Sequence, residues 1–160
     1  MKKSLLLSLS LIFLLSIGMS SCKNDDEGVE EILSVSDLPM PAQTFLTTYF
    51  SDYKAEKVVK DMEDNVVIYE VNLEGGFEIV FDSEGEWQQV DAPDRVSIPD
   101  IGFIPQSIQE YLNYNYYGYG VNEINRTGTG FKLELTNTDF DLYFNEAGEI
   151  IPAPGTTPEM

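Results

Sequence analysis

Leu38-Pro39-Met40-Pro41-Ala42-Gln43-Thr44-Phe45-Leu46 and Ile104-Pro105-Gln106-Ser107-Ile108-Gln109-Glu110-Tyr111-Leu112 are the two stretches that decide the fold. They lie 66 residues apart, and the same offset sets Phe50 on Tyr116, Tyr53 on Tyr119 and Val58 on Ile124. A shorter loop in the second copy then changes the offset to 62, so that residues 69–73 fall on 131–135. At an offset of 63, Phe77 meets Phe140, Phe81 meets Phe144, and Gly85-Glu86 meets Gly148-Glu149. Features kept in order at a near-constant spacing mean one supersecondary unit used twice.

Each copy reads as a helix followed by antiparallel strands. In the first, Asp37 is placed to cap a helix and Pro39 or Pro41 suits its first turn. Ala42, Phe45, Leu46, Tyr49 and Phe50 fall on one helical face, with Ser51-Asp52 as the end. In the second, Ile108, Tyr111, Leu112 and Tyr116 make the same stripe after Pro105, ending near Gly118. Alternation predicts strands over 56–61, 66–73, 77–82 and 86–90, then over 122–126, 131–136, 140–145 and 149–152. Val67, Tyr69, Val71 and Leu73 share one face, as do Phe77, Ile79 and Phe81. Trp87 is placed on the same side as Gln89, with that side left unassigned. The result is an α+β fold of two tandem helix-plus-antiparallel-sheet repeats, with helices on one sheet face and water on the other.

The chain start reads differently. Lys2 and Lys3 precede an apolar run over 5–17, and Gly18-Met19-Ser20-Ser21 leads into Cys22, the single cysteine. The run is too short to span a bilayer comfortably, which takes about 20 residues. The pattern resembles a bacterial lipoprotein signal, in which the peptide is removed and the cysteine sulfur is lipidated. The acidic Asp25-Asp26-Glu27 behind it is similar to the surface-export signal of Bacteroidetes lipoproteins. The expected organisation is a signal peptide at 1–21, a lipidated acidic tether at 22–35 and repeat one at 36–93. A connector at 94–103, repeat two at 104–154 and a flexible tail at 155–160 follow. The expected location is the outer membrane, facing the periplasm or the outside.

Charge and absences narrow the function. The 160 residues carry nine basic and 28 acidic side chains, a net charge of −19. Losing 1–21 removes Lys2 and Lys3 and no acid, which deepens this to −21. Such a surface repels nucleic acid and anionic lipid heads. The chain contains no histidine, which removes Ser-His-Asp and Cys-His catalysis and imidazole zinc sites. With Cys22 lipidated, the domain keeps no thiol and no disulfide, so its core must stabilise it. No glycine-rich phosphate loop is present, and no cofactor is expected.

The duplicated Leu/Ile-Pro helix, the strand meander and the Asp/Asn-x-x-Gly-Glu hairpins at 82–86 and 145–149 resemble the PepSY-like, beta-lactamase-inhibitor-like proteins of Bacteroidetes. The resemblance runs from Leu38 to Pro152. It implies one continuous curved sheet with helices on its convex side, a protein-binding role of which inhibition is one form, and no catalytic residues. The partner class it implies is an envelope or extracellular protein or peptide bound by a monomer anchored in the membrane through Cys22.

Three candidate surfaces follow from the residues. Alternation places Glu70, Asn72, Glu78 and Val80 of the first repeat on the open sheet face, with Lys132, Glu134, Asp141 and Tyr143 of the second. Tyr114 and Tyr117 are expected to be exposed at the second helix end, with Tyr111 and Tyr116 in the core; exposed aromatics can hold sugars or peptides. The turns at 61–65 and 82–86 cluster oxygen ligands of the kind calcium prefers, yet both also suit hairpins. Calcium or glycan binding is therefore the alternative to protein binding. A carboxylate-pair hydrolase stands third, since among 28 acids any pair can be drawn.

Overall fold

The computed structural model describes residues 30–63 and 66–155; the expected signal peptide, Cys22 and most of the tether and tail lie outside them. The elements in order are β1 (Glu31–Ile32), a 3-10 turn (Val35–Asp37), α1 (Met40–Tyr49), β2 (Ala55–Glu63), β3 (Val66–Leu73), β4 (Glu78–Asp82) and β5 (Trp87–Asp91). Then come α2 (Gln106–Asn115), β6 (Val121–Thr127), β7 (Gly130–Leu135), β8 (Asp141–Asn145) and β9 (Ile150–Ile151). Among the described residues, nine strands form one antiparallel sheet in chain order. The join between the two units is β5 with β6, through Gln89 opposite Asn125, Val90 opposite Ile124 and Asp91 opposite Glu123.

One row of side chains builds the core. Val58, Val71, Ile79, Val90, Ile124, Leu133 and Leu142 stand opposite one another from β2 to β8, and all are buried. Both helices cover this face. Phe45 of α1 meets the edge of Phe81 at 5.6 Å, and Tyr111 of α2 meets Phe144 at 5.4 Å. Phe103, between the units, packs on Phe45, Tyr49 and Trp87 at 5.0, 5.2 and 4.9 Å. The segment between the repeats is thus part of the core, with Ile98 and Ile104 buried beside it.

The same local chemistry starts each helix. Pro39 and Pro105 occupy the N-cap positions in extended conformation, where their lack of an N–H costs nothing. The side-chain amides of Gln43 and Gln109 donate to the carbonyls of Leu38 and Ile104 at 2.8 and 2.9 Å. Asp37 does not cap α1: its carboxylate accepts from the Ser34 N–H at 2.9 Å and closes the preceding 3-10 turn. Gly85 and Gly148 (φ of 86° and 78°) close the β4–β5 and β8–β9 turns, a conformation that glycine adopts without strain. Each turn presses on the start of its own helix, Gly85 beside Pro39 and Ala42, and Gly148 beside Ser107 and Ile108.

Two expectations need correction. The tether does not run unstructured to residue 35, because β1 pairs Glu31 with Lys60 and Ile32 with Val59, and Val35 packs against the core. Trp87 and Gln89 do not share a side. The register shifts between β4 and β5, so Trp87 stands opposite Phe81 on the helix face while Gln89 stands opposite Val80 on the other. The extra residue is Gln88, a bulge that inverts the alternation. Phe77 and Phe140, expected as the first residues of their strands, lie just before β4 and β8.

Candidate functional site: the open face of the sheet

The face opposite the helices carries the residues that alternation placed there. Two rows can be followed strand by strand. One runs Ile32, Val59, Glu70, Val80, Gln89, Asn125, Lys132, Tyr143 and Ile151, crossing the whole sheet. The next runs Lys57, Asn72, Glu78, Asp91, Glu123, Glu134 and Asp141. The eight predicted residues Glu70, Asn72, Glu78, Val80, Lys132, Glu134, Asp141 and Tyr143 therefore share one surface, all of them partly exposed. Tyr114 and Tyr117 do not join them. They stand 88% and 85% exposed at the end of α2, which packs on the opposite face.

In the second row five carboxylates occupy five successive strands, Glu78, Asp91, Glu123, Glu134 and Asp141. Adjacent strands lie about 4.8 Å apart, and like charges directly opposite destabilise a sheet. The surrounding groups offset part of this repulsion at one end. Lys132 Nζ sits 2.7 Å from Glu134 Oε1 and 3.5 Å from Asp141 Oδ2. The Tyr143 hydroxyl donates to Asp141 Oδ2 at 3.1 Å, and the Asn125 amide donates to Glu123.

Asp91, on the strand where the units join, receives no such cation. Burial, and then Glu123 and Glu78 on the flanking strands, push its carboxyl up to about 6. At Glu134 the Lys132 hydrogen bond pulls the carboxyl down, but burial with Glu123 and Asp141 outweighs it, and the net direction is upward. Lys132 is desolvated, which lowers its affinity for a proton, but Glu134, Glu123 and Asp141 raise it above the usual lysine range. The charged state of this lysine is therefore held firmly.

Sequence reasoning missed Asp91, Glu123, Gln89 and Asn125. Asp91 and Glu123 each neighbour a core residue, Val90 and Ile124, so their alternation was readable. That β5 pairs with β6 was not, since some 30 residues separate the two strands.

The acidic turn at 82–86 acts as a hairpin, while Asp64 and Asn65 of the candidate turn at 61–65 lie outside the described residues. Asp82 Oδ1 accepts from the N–H groups of Glu84 and Glu86 at 3.0 and 2.9 Å, and its Oδ2 accepts from Gln88 at 2.9 Å. Among the described residues, no group of three or more Asp or Glu is arranged to hold a metal ion. On the helix side, an open groove of about 470 Å³ lies between α1 and Trp87, lined by Met40, Pro41, Phe45 and Tyr49.

The architecture and the repeat can now be set against known proteins. The family described as "Putative beta-lactamase-inhibitor-like, PepSY-like" matches residues 27–85 and again 67–152. This chain belongs to that PepSY-like family. A "putative periplasmic protein of unknown function" from Bacteroides vulgatus has the same fold, with a TM-score of 0.70 and 29% identity over 78% of this chain and 98% of its own. A "putative calcium-regulated periplasmic protein" from Bacteroides thetaiotaomicron is similar at a TM-score of 0.70 and 29% identity, covering 77% of this chain and 94% of that one. A further Bacteroides vulgatus protein, described as a "putative periplasmic protein from DUF2874 family", aligns at a TM-score of 0.69 and 25% identity over 77% and 94%. No curated protein matches the chain.

Proposed function

We propose that this PepSY-like protein is a non-catalytic binding module of the cell envelope, held to the outer membrane by a lipid on Cys22, that takes a polypeptide on the open face of its sheet. The observation that carries the reading is the row of five opposed carboxylates on the face opposite α1 and α2, which no helix covers among the described residues. A sheet needs no such row to fold, and like-charge pairs across strands work against folding. Sequences that break a local rule at one place do so most often where function requires it. The complementary partner is a polypeptide segment bearing lysine or arginine, steered to the face by the net charge of −21 that remains without residues 1–21. The family description and the periplasmic relatives support an envelope role. An inhibitory action would be one use of such a face, reached by fold analogy.

The test is site-specific photocrosslinking with the full chain in native envelope extract. A crosslinker at Val80, on the open face, should give one saturable polypeptide adduct, and one at Met40 on the helix side should not. Glu78→Lys with Glu134→Lys, or salt raised to about 1 M where the screening length falls to about 3 Å, should abolish the adduct. An adduct that survives both changes, or none from Val80, overturns the reading. Incorporation of labelled palmitate, lost in Cys22→Ala, checks the anchor separately.

A further inference from the structure

Each unit of the sheet is completed by a strand from outside it. By the offset of 66, Val58, Val59 and Lys60 of β2 correspond to Ile124, Asn125 and Arg126 of β6. Both strands also shift register at the same place, between Ala55 and Lys57 and between Val121 and Glu123. β6 receives β5, with Gln89 opposite Asn125 and Val90 opposite Ile124. β2 receives β1, with Ile32 opposite Val59, and the Leu33 N–H donates to the Val58 carbonyl at 2.9 Å. β1 thus stands on unit one where β5 stands on unit two, and Leu33 packs against the core in the place of Val90.

The two outer edges of the sheet are closed by different means. β9 sets Ile151 opposite Tyr143 as β5 sets Gln89 opposite Val80, so Pro152 and Pro154 occupy the places of Val90 and Ala92. Ala92 donates its N–H to the Asn122 carbonyl of unit two at 2.9 Å. Proline has no N–H to give a further strand, so the β9 edge is closed permanently. The β2 edge carries no proline between 55 and 63. It is covered by a strand of two residues, with Ile32 76% exposed. The ion pairs of this strap, Glu30 with Lys57 at 3.6 Å and Glu31 with Lys60 at 3.5 Å, lie in solvent, where such pairs contribute little. Past β1, the Met62 N–H donates to its neighbour's carboxylate, Asp61 Oδ1, at 2.7 Å. The part of the edge that depends on another strand is therefore 58–60.

What can take the place of β1 is read from β1 itself. The covered stretch is Lys57-Val58-Val59-Lys60, and each lysine meets a carboxylate of the strap. Glu56 and Asp61 flank it, which confines further carboxylates to those two lysines, and Lys57 stands where unit two has Glu123. We propose that the β2 edge is a strand-addition site, held shut by β1, for an extended segment of another polypeptide carrying carboxylates ahead of an aliphatic residue, as Glu30-Glu31-Ile32-Leu33 does. Backbone hydrogen bonds to the edge supply affinity, and the lysines and the Leu33 seat supply selectivity. The β1 of a second copy does not suit the place: Val35 and Leu38, just after Leu33, pack on their own core and would have to be drawn out. The segment is opposite in charge to the one proposed for the open face, and this site does not rest on that reading.

The probe is a fluorescent peptide with the sequence of residues 29–35, titrated into the full chain and read by anisotropy. Glu30→Lys with Glu31→Lys loosens the strap at two exposed positions, and a thermal melt checks that the variant folds. If it does not, Glu31→Pro, which removes one carboxylate and one strap N–H, takes its place. The expected result is a Kd at least about tenfold tighter for the loosened chain than for the unaltered one, because the strap competes for the edge. Binding should be lost when aspartate replaces the leucine of the peptide. It should also be lost when Lys57→Glu and Lys60→Glu are added to the loosened chain, which re-forms the ion pairs with their signs exchanged and closes the strap again. No binding to the loosened chain, equal affinity for both chains, or binding kept by the aspartate peptide or by the charge-swapped chain would each overturn the proposal. So would a loosened chain that dimerises without peptide in sedimentation, which would assign the edge to copies of this chain.

Discussion

Unit one and unit two share a backbone and a core but not a surface. The core row passes through both without a break, and Phe81 and Phe144 occupy the same place under α1 and α2. Outside that row the copies have diverged. Unit one closes its aromatic end over Phe77, while unit two leaves Phe140 open beside exposed tyrosines. On the open face, unit one contributes Glu70, Asn72 and Val80, while unit two contributes the ion pairs of Lys132 with Glu134 and Asp141. A duplicated fold is held constant where packing density tolerates no change and is free to change where side chains meet water. The differences between equivalent positions therefore mark what the fold does not require.

The largest effect tests whether the cores are equivalent. Phe81→Ala and Phe144→Ala should each cost about 3–5 kcal/mol in urea unfolding. Values differing by more than about 2 kcal/mol would break the equivalence of the two units.

The turn glycines should separate the units. An added Cβ at either site meets the left-handed backbone penalty of about 1–2 kcal/mol. At Gly85 it would also sit 2.7 Å from the Pro39 ring and 3.1 Å from the Ala42 nitrogen, which are rigid. At Gly148 the nearest atom is the Ser107 hydroxyl, which can rotate away at the loss of its exposed hydrogen bond to the Ala147 carbonyl. Gly85→Ala should therefore destabilise more than Gly148→Ala, and the reverse order in thermal melts would refute this account of the turns.

Asp91 sits where the units join, and its effect should be smaller. Its folded value, about 6, lies above the ordinary 3.8. Between these values the folded state holds more protons than the unfolded one, so stability falls as pH rises from about 4 to about 6. Because the side chain is half exposed, solvent screening reduces the effect to about 1 kcal/mol. Asp91→Asn should remove this fall and stabilise the protein at pH 7, as chemical denaturation at several pH values would show. An unchanged pH profile would mean that the carboxylate row does not repel as its register implies. Smallest of all, Tyr114→Thr and Tyr117→Ser, which give unit two the residues of unit one at the equivalent positions 48 and 51, should shift stability by less than about 0.5 kcal/mol. A larger loss in a melt would show that the fold uses these rings after all.

Much of this molecule was readable in the chain, for reasons that individual residues make plain. Val71 and Leu73 alternate with Glu70 and Asn72 because a strand has a period of two, and the pattern alone assigns their faces. Proline before each helix and glycine in each Asp/Asn-x-x-Gly-Glu turn act within a few residues of themselves. Hence the helices and strands fell close to where they were expected. The side of Trp87 was not readable, because one bulged residue, Gln88, reverses the alternation, and only the pairing with β4 reveals it.

The sequence by itself determined two helix-and-strand units, their turns, the apolar face of each strand and the exposure of Tyr114 and Tyr117, since all of these follow from local periodicity and backbone preference. Only the tertiary structure decided that β5 pairs with β6 to join the two halves, and that Glu78, Asp91, Glu123, Glu134 and Asp141 stand in a single row. That register depends on contacts between segments far apart in the chain, where burying Val90 against Ile124 outweighs the repulsion between Asp91 and Glu123.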